Sequence, residues 1–258
     1  MKSIKELYEY RQMIFSLVRK ELRGRYKGSV LGFAWTFINP LLQLVVYTFV
    51  FSVIMRANIE KYYIFLFVAL VPWIFFSSSI NGGCTSILSS GDMVKKIYFP
   101  REVLPISYVT STFVNMVLSF LVVFGVLLFT GFGINLQALL YLPIIMVVEY
   151  IFTVGIVLLT AAMTVYFRDL AYILGIVTMA WQYLSPVMYS ADMMPDKLIP
   201  LWNLNPMTSI ITAYRDILYY KQIPQLSTLL AATLFGIIGV FVGYVAFRVL
   251  QKGFAEEL

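Results

Sequence analysis

VLPISYVTSTFVNMVLSFLVVFGVLLFTGFGINLQALLYLPIIMVV, residues 103–148, is a run of 46 residues without one Asp, Glu, Lys or Arg. About 20 mostly apolar residues in helix cross the roughly 30 Å hydrocarbon core of a bilayer, so this run is too long for a single crossing. Gly131, Phe132, Gly133, Ile134 and Asn135 break it near its middle. It reads as one span, a short polar hairpin and the start of the next span. The uncharged runs 28–55, 62–91, 150–167, 170–191 and 222–247 each supply one more span, the 150–167 run by starting a few residues upstream. Six spans are therefore expected, at about 30–55, 62–86, 106–130, 138–164, 170–190 and 225–248. The fold class is all-α integral membrane. Residues 1–27 form a cytoplasmic interface segment, 28–250 the six-span domain and 251–258 a cytoplasmic tail.

Composition and charge agree. Hydrophobic residues make up 60% and charged residues 12% of the chain, and the mean hydropathy is +0.84, well outside the range of soluble domains. The net charge of +6 is a matter of topology rather than nucleic-acid binding. Eight of the 19 Lys and Arg precede the first span, and placing that end in the cytoplasm puts Lys95, Lys96, Arg101, Arg168, Arg248 and Lys252 there too. The split is 14 inside (8 + 6) against five outside (Arg56, Lys61, Lys197, Arg215, Lys221), the orientation that the positive-inside rule favours. Both termini then lie in the cytoplasm.

The N-terminal segment lacks the apolar core and small-residue cleavage site of a signal peptide. Ile4, Leu7, Tyr8, Ile14, Val18 and Leu22 recur at helical spacing with charges between them, interrupted by Arg11. This predicts an amphipathic helix on the inner membrane face. The lone Cys84 leaves no disulfide within the chain, and without His no metal site is expected.

Three connecting segments carry more than a turn requires. GDMVKKIYFPREVLP (91–105) sets Val94, Ile97, Tyr98 and Phe99 among basic residues; a loop that only fixed topology would not need them, and a docking surface for another protein is the preferred reading. YFRDL (166–170) is either a polar hairpin or a rigid link that passes a push into the membrane. In 191–224, Asn205 before Pro206 reads as an N-cap with proline at the first helical position. Ile210, Tyr214, Ile217 and Leu218 follow as an apolar stripe opposite Arg215 and Asp216. A short helix re-entering or resting on the outer interface fits, as a lid over a pore or as an anchor for its neighbours.

Glu149 is the conspicuous intramembrane acid. Such groups are costly and often functional, but one carboxyl without a His, Lys or acid partner makes a poor proton relay. A hydrogen bond to a nearby Ser, Thr or Tyr that holds helices together is the preferred reading. Ala232, Gly236, Gly239 and Gly243 form a small-residue stripe for close helix contact. Trp73 and Trp202 suit interfacial belts. Trp35, Tyr47, Trp181 and Tyr183 fall inside the first and fifth expected spans, where they either fill helix contacts or offer ring faces to sugars.

An integral-membrane enzyme that transfers lipid or sugar would need carboxylates for a metal, or a His or Cys nucleophile; the carboxylates here are scattered. An ion-coupled carrier would show repeats and intramembrane ion ligands. No G-x-x-x-x-G-K-[ST] phosphate loop occurs in the sequence, so ATP would have to act through another chain. A permease driven by a separate motor fits best.

The strings KELRGRYKGSVLGFAWTFINP (20–40), LVPWIFFSSSI (70–80), VKKIYFPREVLPIS (94–107), YFRDL, SPVMYS (185–190) and NPMTSIITAYRDIL (205–218) resemble the membrane subunit of type-2 ABC exporters. The similarity is to the branch that exports O-antigen polysaccharide, capsule or teichoic acid, and runs from about residue 10 to the C-terminus. The resemblance implies a homodimer with two copies of a separate ATPase, which holds ATP and Mg, and no cofactor on this chain. It implies that Lys95, Lys96, Tyr98, Arg101, Arg168 and Asp169 couple to the ATPase. Spans one and five, with Trp35, Tyr47, Trp181 and Tyr183, would line the channel. Short gate helices with Asn205, Pro206, Tyr214 and Arg215 would close the outer mouth. The substrate would be a glycan on undecaprenyl diphosphate, with Arg23, Arg25 and Lys27 guiding the diphosphate from the inner leaflet of the cytoplasmic membrane.

The missing phosphate loop predicts that the purified chain hydrolyses no ATP alone and does so once a nucleotide-binding subunit is added. A phosphate-release assay with and without that subunit checks it, and hydrolysis by the chain alone would refute the division of labour.

Overall fold

The computed structural model describes residues 2–24, 27–56, 59–190 and 193–257, and among them every regular element is helical. The α-helices are α1 (Lys2–Glu9), α2 (Arg11–Gly24), α3 (Trp35–Thr48), α4 (Tyr62–Gly83), α5 (Gly91–Lys96), α6 (Val103–Phe129), α7 (Leu136–Leu139), α8 (Leu142–Tyr166), α9 (Leu170–Leu184), α10 (Ile199–Asn203), α11 (Pro206–Leu218), α12 (Leu226–Leu250) and α13 (Phe254–Glu257). Among the described residues, five helical stretches are long and apolar enough to cross a membrane: Gly32–Ile54, Tyr62–Gly83, Val103–Phe129, Leu136–Tyr166 and Leu226–Gly253.

The fifth expected span is shorter than the sequence suggests. Only Leu170–Leu184 is helical, 15 residues, or about 22 Å at 1.5 Å per residue, short of the roughly 30 Å core. Ser185 turns extended (φ −106°, ψ 150°) because Pro186 crowds the helical region of the residue before it. From there the chain folds back towards α11.

At the centre lies α4. It has no polar face, and 78% of its most apolar stretch is buried, against 11% for the span containing α3 and 17% for α12. Phe65, Leu66, Val68, Ala69, Leu70 and Phe76 are fully buried there, and α3, α6, α8, α9 and α11 pack around it. A helix that is apolar all round belongs inside other protein.

The closest helix pair is α8 with α12, and small residues make it possible. A Cβ on Gly239 would lie 2.9 Å from the Phe152 ring, and one on Gly155 or Gly243 would run into the backbone of the facing helix. Between spans, where lipid is as apolar as leucine, such close packing is what holds helices together. The hairpin in the 46-residue run falls where expected: Gly131 and Gly133 take positive φ (62° and 81°), which glycine adopts without steric cost. Asn135 then caps α7 by accepting from the Gln137 amide at 2.9 Å.

Pro40 interrupts the hydrogen bonding of α3, since proline has no N–H to offer the carbonyl four residues earlier. That carbonyl, on Thr36, is met by the Ser119 hydroxyl of α6 at 3.3 Å, which also lies 2.9 Å from the Asn115 carbonyl. A π turn at Phe49–Ile54 completes the span. At the N-terminus, the buried stripe is not quite the predicted one. Leu7, Tyr10, Met13, Ile14, Leu17 and Val18 pack against the core, whereas Tyr8 is 67% exposed. Helical hydrogen bonding carries on through Tyr10, whose N–H donates to the Glu6 carbonyl at 3.1 Å and whose carbonyl accepts from the Ile14 N–H at 3.0 Å, so one stripe at helical spacing runs from α1 into α2.

Valine at Gly155 or Gly243 is expected to force α8 and α12 apart and cost about 1–3 kcal/mol, the usual price of overpacking. Thermal unfolding of the purified protein in detergent measures it. Gly175→Ala is the control, because nothing lies within 4 Å of a Cβ there.

Candidate functional site

Past Leu184 the chain must turn inside an apolar surround, so each backbone group the turn frees needs a partner within the protein. Two side chains of the NPMTSIITAYRDIL segment supply them. Asn205 (φ −76°, ψ 116°) accepts from the Met207 amide at 3.0 Å as N-cap of α11, with Pro206 at the first helical position. The same side chain accepts from the Trp181 indole N–H at 2.8 Å, and donates to Ser185 Oγ at 2.9 Å and the Leu184 carbonyl at 3.2 Å. It therefore joins the end of α9 to the start of α11.

Arg215 closes the other side. It donates to the Val187 carbonyl at 2.8 Å and the Tyr189 carbonyl at 3.0 Å, and its guanidinium sits 3.6 Å over the Phe65 ring of α4. The Tyr62 hydroxyl donates to the carbonyl between them, Met188, at 2.8 Å. Arg215 is 4% and Asp216 5% exposed, so the side of α11 opposite the apolar stripe is buried as well. These polar side chains point inwards because the broken backbone of 187–189 needs donors. Asp216 accepts from Gln222 at 2.9 Å and helps close the turn into α12.

Glu149 belongs to the same unit. Its Oε2 accepts from the Tyr214 hydroxyl at 2.6 Å, with both residues fully buried, and the Tyr214 ring stacks on Phe120 of α6 at 5.7 Å. The intramembrane acid and the candidate gate, identified separately in the sequence, form one contact between α8 and α11.

Beside this unit lies a groove of about 600 Å³ lined by Trp181, Tyr183, Tyr189, Met193, Trp202 and Asn205, among others. Asn205 and an edge-to-face contact with Phe76 at 5.1 Å fix the Trp181 ring; Tyr183 is 58% exposed. Aromatic faces held open beside a few polar groups can bind the C–H face of a sugar. The other two aromatic candidates lie elsewhere. Trp35 lines a smaller polar pocket with Asn39, Thr112 and Asn115, and Tyr47 packs against the core.

Lys95, Lys96, Arg168 and Asp169 are exposed at the opposite end of the bundle, with Tyr98 94% exposed beside them. Arg101 turns inwards, donating to the Gln251 carbonyl and lying 5.7 Å from the Phe254 ring centroid. Tyr166, at the foot of α8, donates to the Leu250 carbonyl at 2.6 Å. Both loops thus hold the same C-terminal segment, whose Phe254 is fully buried. Arg248 lies 3.2 Å from Glu102 and 3.9 Å from Glu6 of α1. The sequence reading left out this clasp. Its signal was Phe254, an aromatic seven residues after Phe247 in a tail that also carries Lys252, Glu256 and Glu257. Arg23 and Lys27 share a groove with Leu22, Gly32 and Phe33; Arg25 lies outside the described residues. No cluster of three or more His, Cys, Asp or Glu that could hold a metal occurs among the described residues.

Residues 12–219 match the family pattern of the ABC-2 type transporter. The chain is 35% identical, over 99% of its length and 98% of the relative's, to the O-antigen export system permease protein RfbA of Myxococcus xanthus. It is 33% identical to a protein of the same name from Klebsiella pneumoniae over 95% of both chains. It is 21% identical to the polysialic acid transport protein KpsM of Escherichia coli over 92% of this chain and 93% of that one.

Tyr214→Phe strips a buried carboxyl of its donor and is expected to destabilise by about 1–3 kcal/mol. Adding Glu149→Met should recover much of that loss, since removing both partners leaves no orphan. A double-mutant cycle by thermal unfolding checks this, with simple additivity as the refuting result.

Proposed function

Because the chain belongs to the ABC-2 type transporter family, we propose that it is the permease of an ATP-driven exporter for a cell-surface polysaccharide. The substrate is carried on undecaprenyl diphosphate across the cytoplasmic membrane, O-antigen in the first place and capsule or teichoic acid otherwise. The O-antigen export and polysialic acid transport for which the relatives are named support this substrate class. The chain works as a homodimer with two copies of a separate ATPase subunit that binds ATP and Mg, and its termini face the cytoplasm.

One observation carries the mechanism. The YFRDL turn joins α8 to α9, and each of these helices holds α11: α8 through Glu149 and Tyr214, α9 through Asn205. A push on Arg168 and Asp169 at that turn travels along two packed helices to both anchors of the outer segment. Lys95, Lys96 and Tyr98 receive the ATPase alongside, while Arg101 ties their loop to the C-terminal clasp behind it, which makes the two loops move together. Displacing α11 with the end of α9 opens the aromatic groove to a sugar chain. Arg23, Arg25 and Lys27 draw the lipid diphosphate from the inner leaflet, where basic side chains meet anionic headgroups. The exposed apolar residues Leu42 and Val46 of α3, Phe49 of the π turn that follows it, and Ile176 and Met179 of α9, suit the wall and the seam of a dimeric channel.

The test is export per assembled complex. Trp181→Leu and Tyr183→Leu are expected to slow it roughly two- to tenfold, equivalent to losing about 0.5–1.4 kcal/mol of ring contact, with ATPase subunit binding unchanged. Tyr47→Leu should leave export near wild type, since that ring packs into the core. Wild-type export in both groove variants would sink the glycan path drawn here.

A further inference from the structure

The end of the bundle at which α4 stops and α6 begins holds a pocket that the transport reading does not use. Its volume is about 210 Å³, far above the roughly 10–15 Å³ that one water needs. α2 supplies Lys20 and Glu21, the segment after α4 supplies Ser86 and Ser90, and α6 supplies Ser107 and Tyr108. Gly82 lets the Tyr108 ring stand as one wall, since a Cβ there would overlap it.

Two features of this lining are unexplained by folding. Ser86 Oγ and Ser107 Oγ are buried and have no hydrogen-bond partner, although their residues are only 8% and 1% exposed. A buried hydroxyl without a partner costs about 1–3 kcal/mol. Their neighbours show the ordinary arrangement: Thr85 donates to the Gly82 carbonyl at 3.1 Å and Ser89 to the Ser86 carbonyl at 3.2 Å. In addition, Lys20 and Glu21 of α2 both line the pocket, and among the described residues neither is in an ion pair. The pocket presents an ammonium, a carboxylate and two free hydroxyls to whatever fills it.

We propose that this pocket binds the zwitterionic headgroup of a phosphoethanolamine phospholipid. Lys20 and the hydroxyls of Ser86 and Ser107 donate to the phosphate, and the Glu21 carboxylate accepts from the ligand's primary ammonium. Such charge-assisted contacts are the strong ones. The position is that of a headgroup, because α2 is amphipathic, packs its apolar side on α6, and so lies at the depth where an interfacial helix meets the acyl boundary. A purely anionic ligand fits less well, as it would bring its charge against Glu21. A trimethylammonium headgroup has no N–H for that carboxylate. The lipid is a fixed wedge between the interface helix and two spans, and its binding does not depend on what the protein exports.

The experiment is native mass spectrometry of the full chain in detergent. It is offered equal amounts of phosphatidylethanolamine, phosphatidylcholine and phosphatidylglycerol with the same acyl chains. Phosphatidylethanolamine should be retained over the other two by roughly tenfold, the worth of one charge-assisted contact. Glu21→Gln should abolish that preference, and the pair Ser86→Ala with Ser107→Ala should lower retention of all three lipids. If the serine pair fails to fold, Glu21→Gln decides alone, since its side chain is only half-buried. Equal retention of the three lipids by the wild type, or an unchanged preference in Glu21→Gln, overturns the proposal. So does soluble glycerophosphoethanolamine binding as well as the lipid, which would make the ligand a free phosphoester.

Discussion

A chain that breaks its helix within a bilayer must find new partners for the amides and carbonyls it uncovers, and water is not there to help. In this protein the break follows Leu184, and Arg215 and Asn205 mend it. Arg215 holds the carbonyls of Val187 and Tyr189, and Asn205 holds that of Leu184 while capping the next helix. An arginine buried to 4% exposure is tolerable because carbonyl oxygens and the Phe65 ring replace its hydration. Without those two side chains the segment between α9 and α12 would have no stable place inside the bundle.

Much else is arranged around that repair. α11 is enclosed by α4, α8 and α12, so its own polar groups need partners as well, and Tyr214 finds one in Glu149. A carboxyl in this setting is a structural bond whose other end lies on α11. Because α8 and α9 also share one tight turn, the far end of the bundle is joined to the aromatic groove by the length of α9 alone.

Elsewhere the same constraint is met by smaller means. The Thr36 carbonyl, which Pro40 of α3 cannot serve, is met by Ser119 of α6. Where no polar repair is needed, α8 and α12 simply approach until their glycines touch. At the opposite end, Arg101, Glu102, Tyr166 and Arg248 gather the C-terminal segment and α1 into one clasp. The loops that carry Lys95 and Arg168 are thus braced against a common support.

The sequence alone determined that the chain is helical and membrane-embedded, and where most spans run. Uncharged runs, the Gly131–Asn135 break, the Asn205–Pro206 cap and the small-residue stripe of α12 are local signals, set by hydrophobicity and backbone preference. They need no neighbour to be read. The tertiary structure decided what those signals could not carry: that the 170–190 run stops at Leu184, that Arg215 and Asp216 face inwards, and that Trp181 and Trp35 belong to different pockets. It also decided that Glu149 meets Tyr214, 65 positions away. Helical periodicity reports which side chains share a face, but which neighbour covers that face depends on contacts between distant segments. Polar residues make the ambiguity worst, because an arginine beside an apolar stripe looks the same in sequence whether it meets water or a broken backbone.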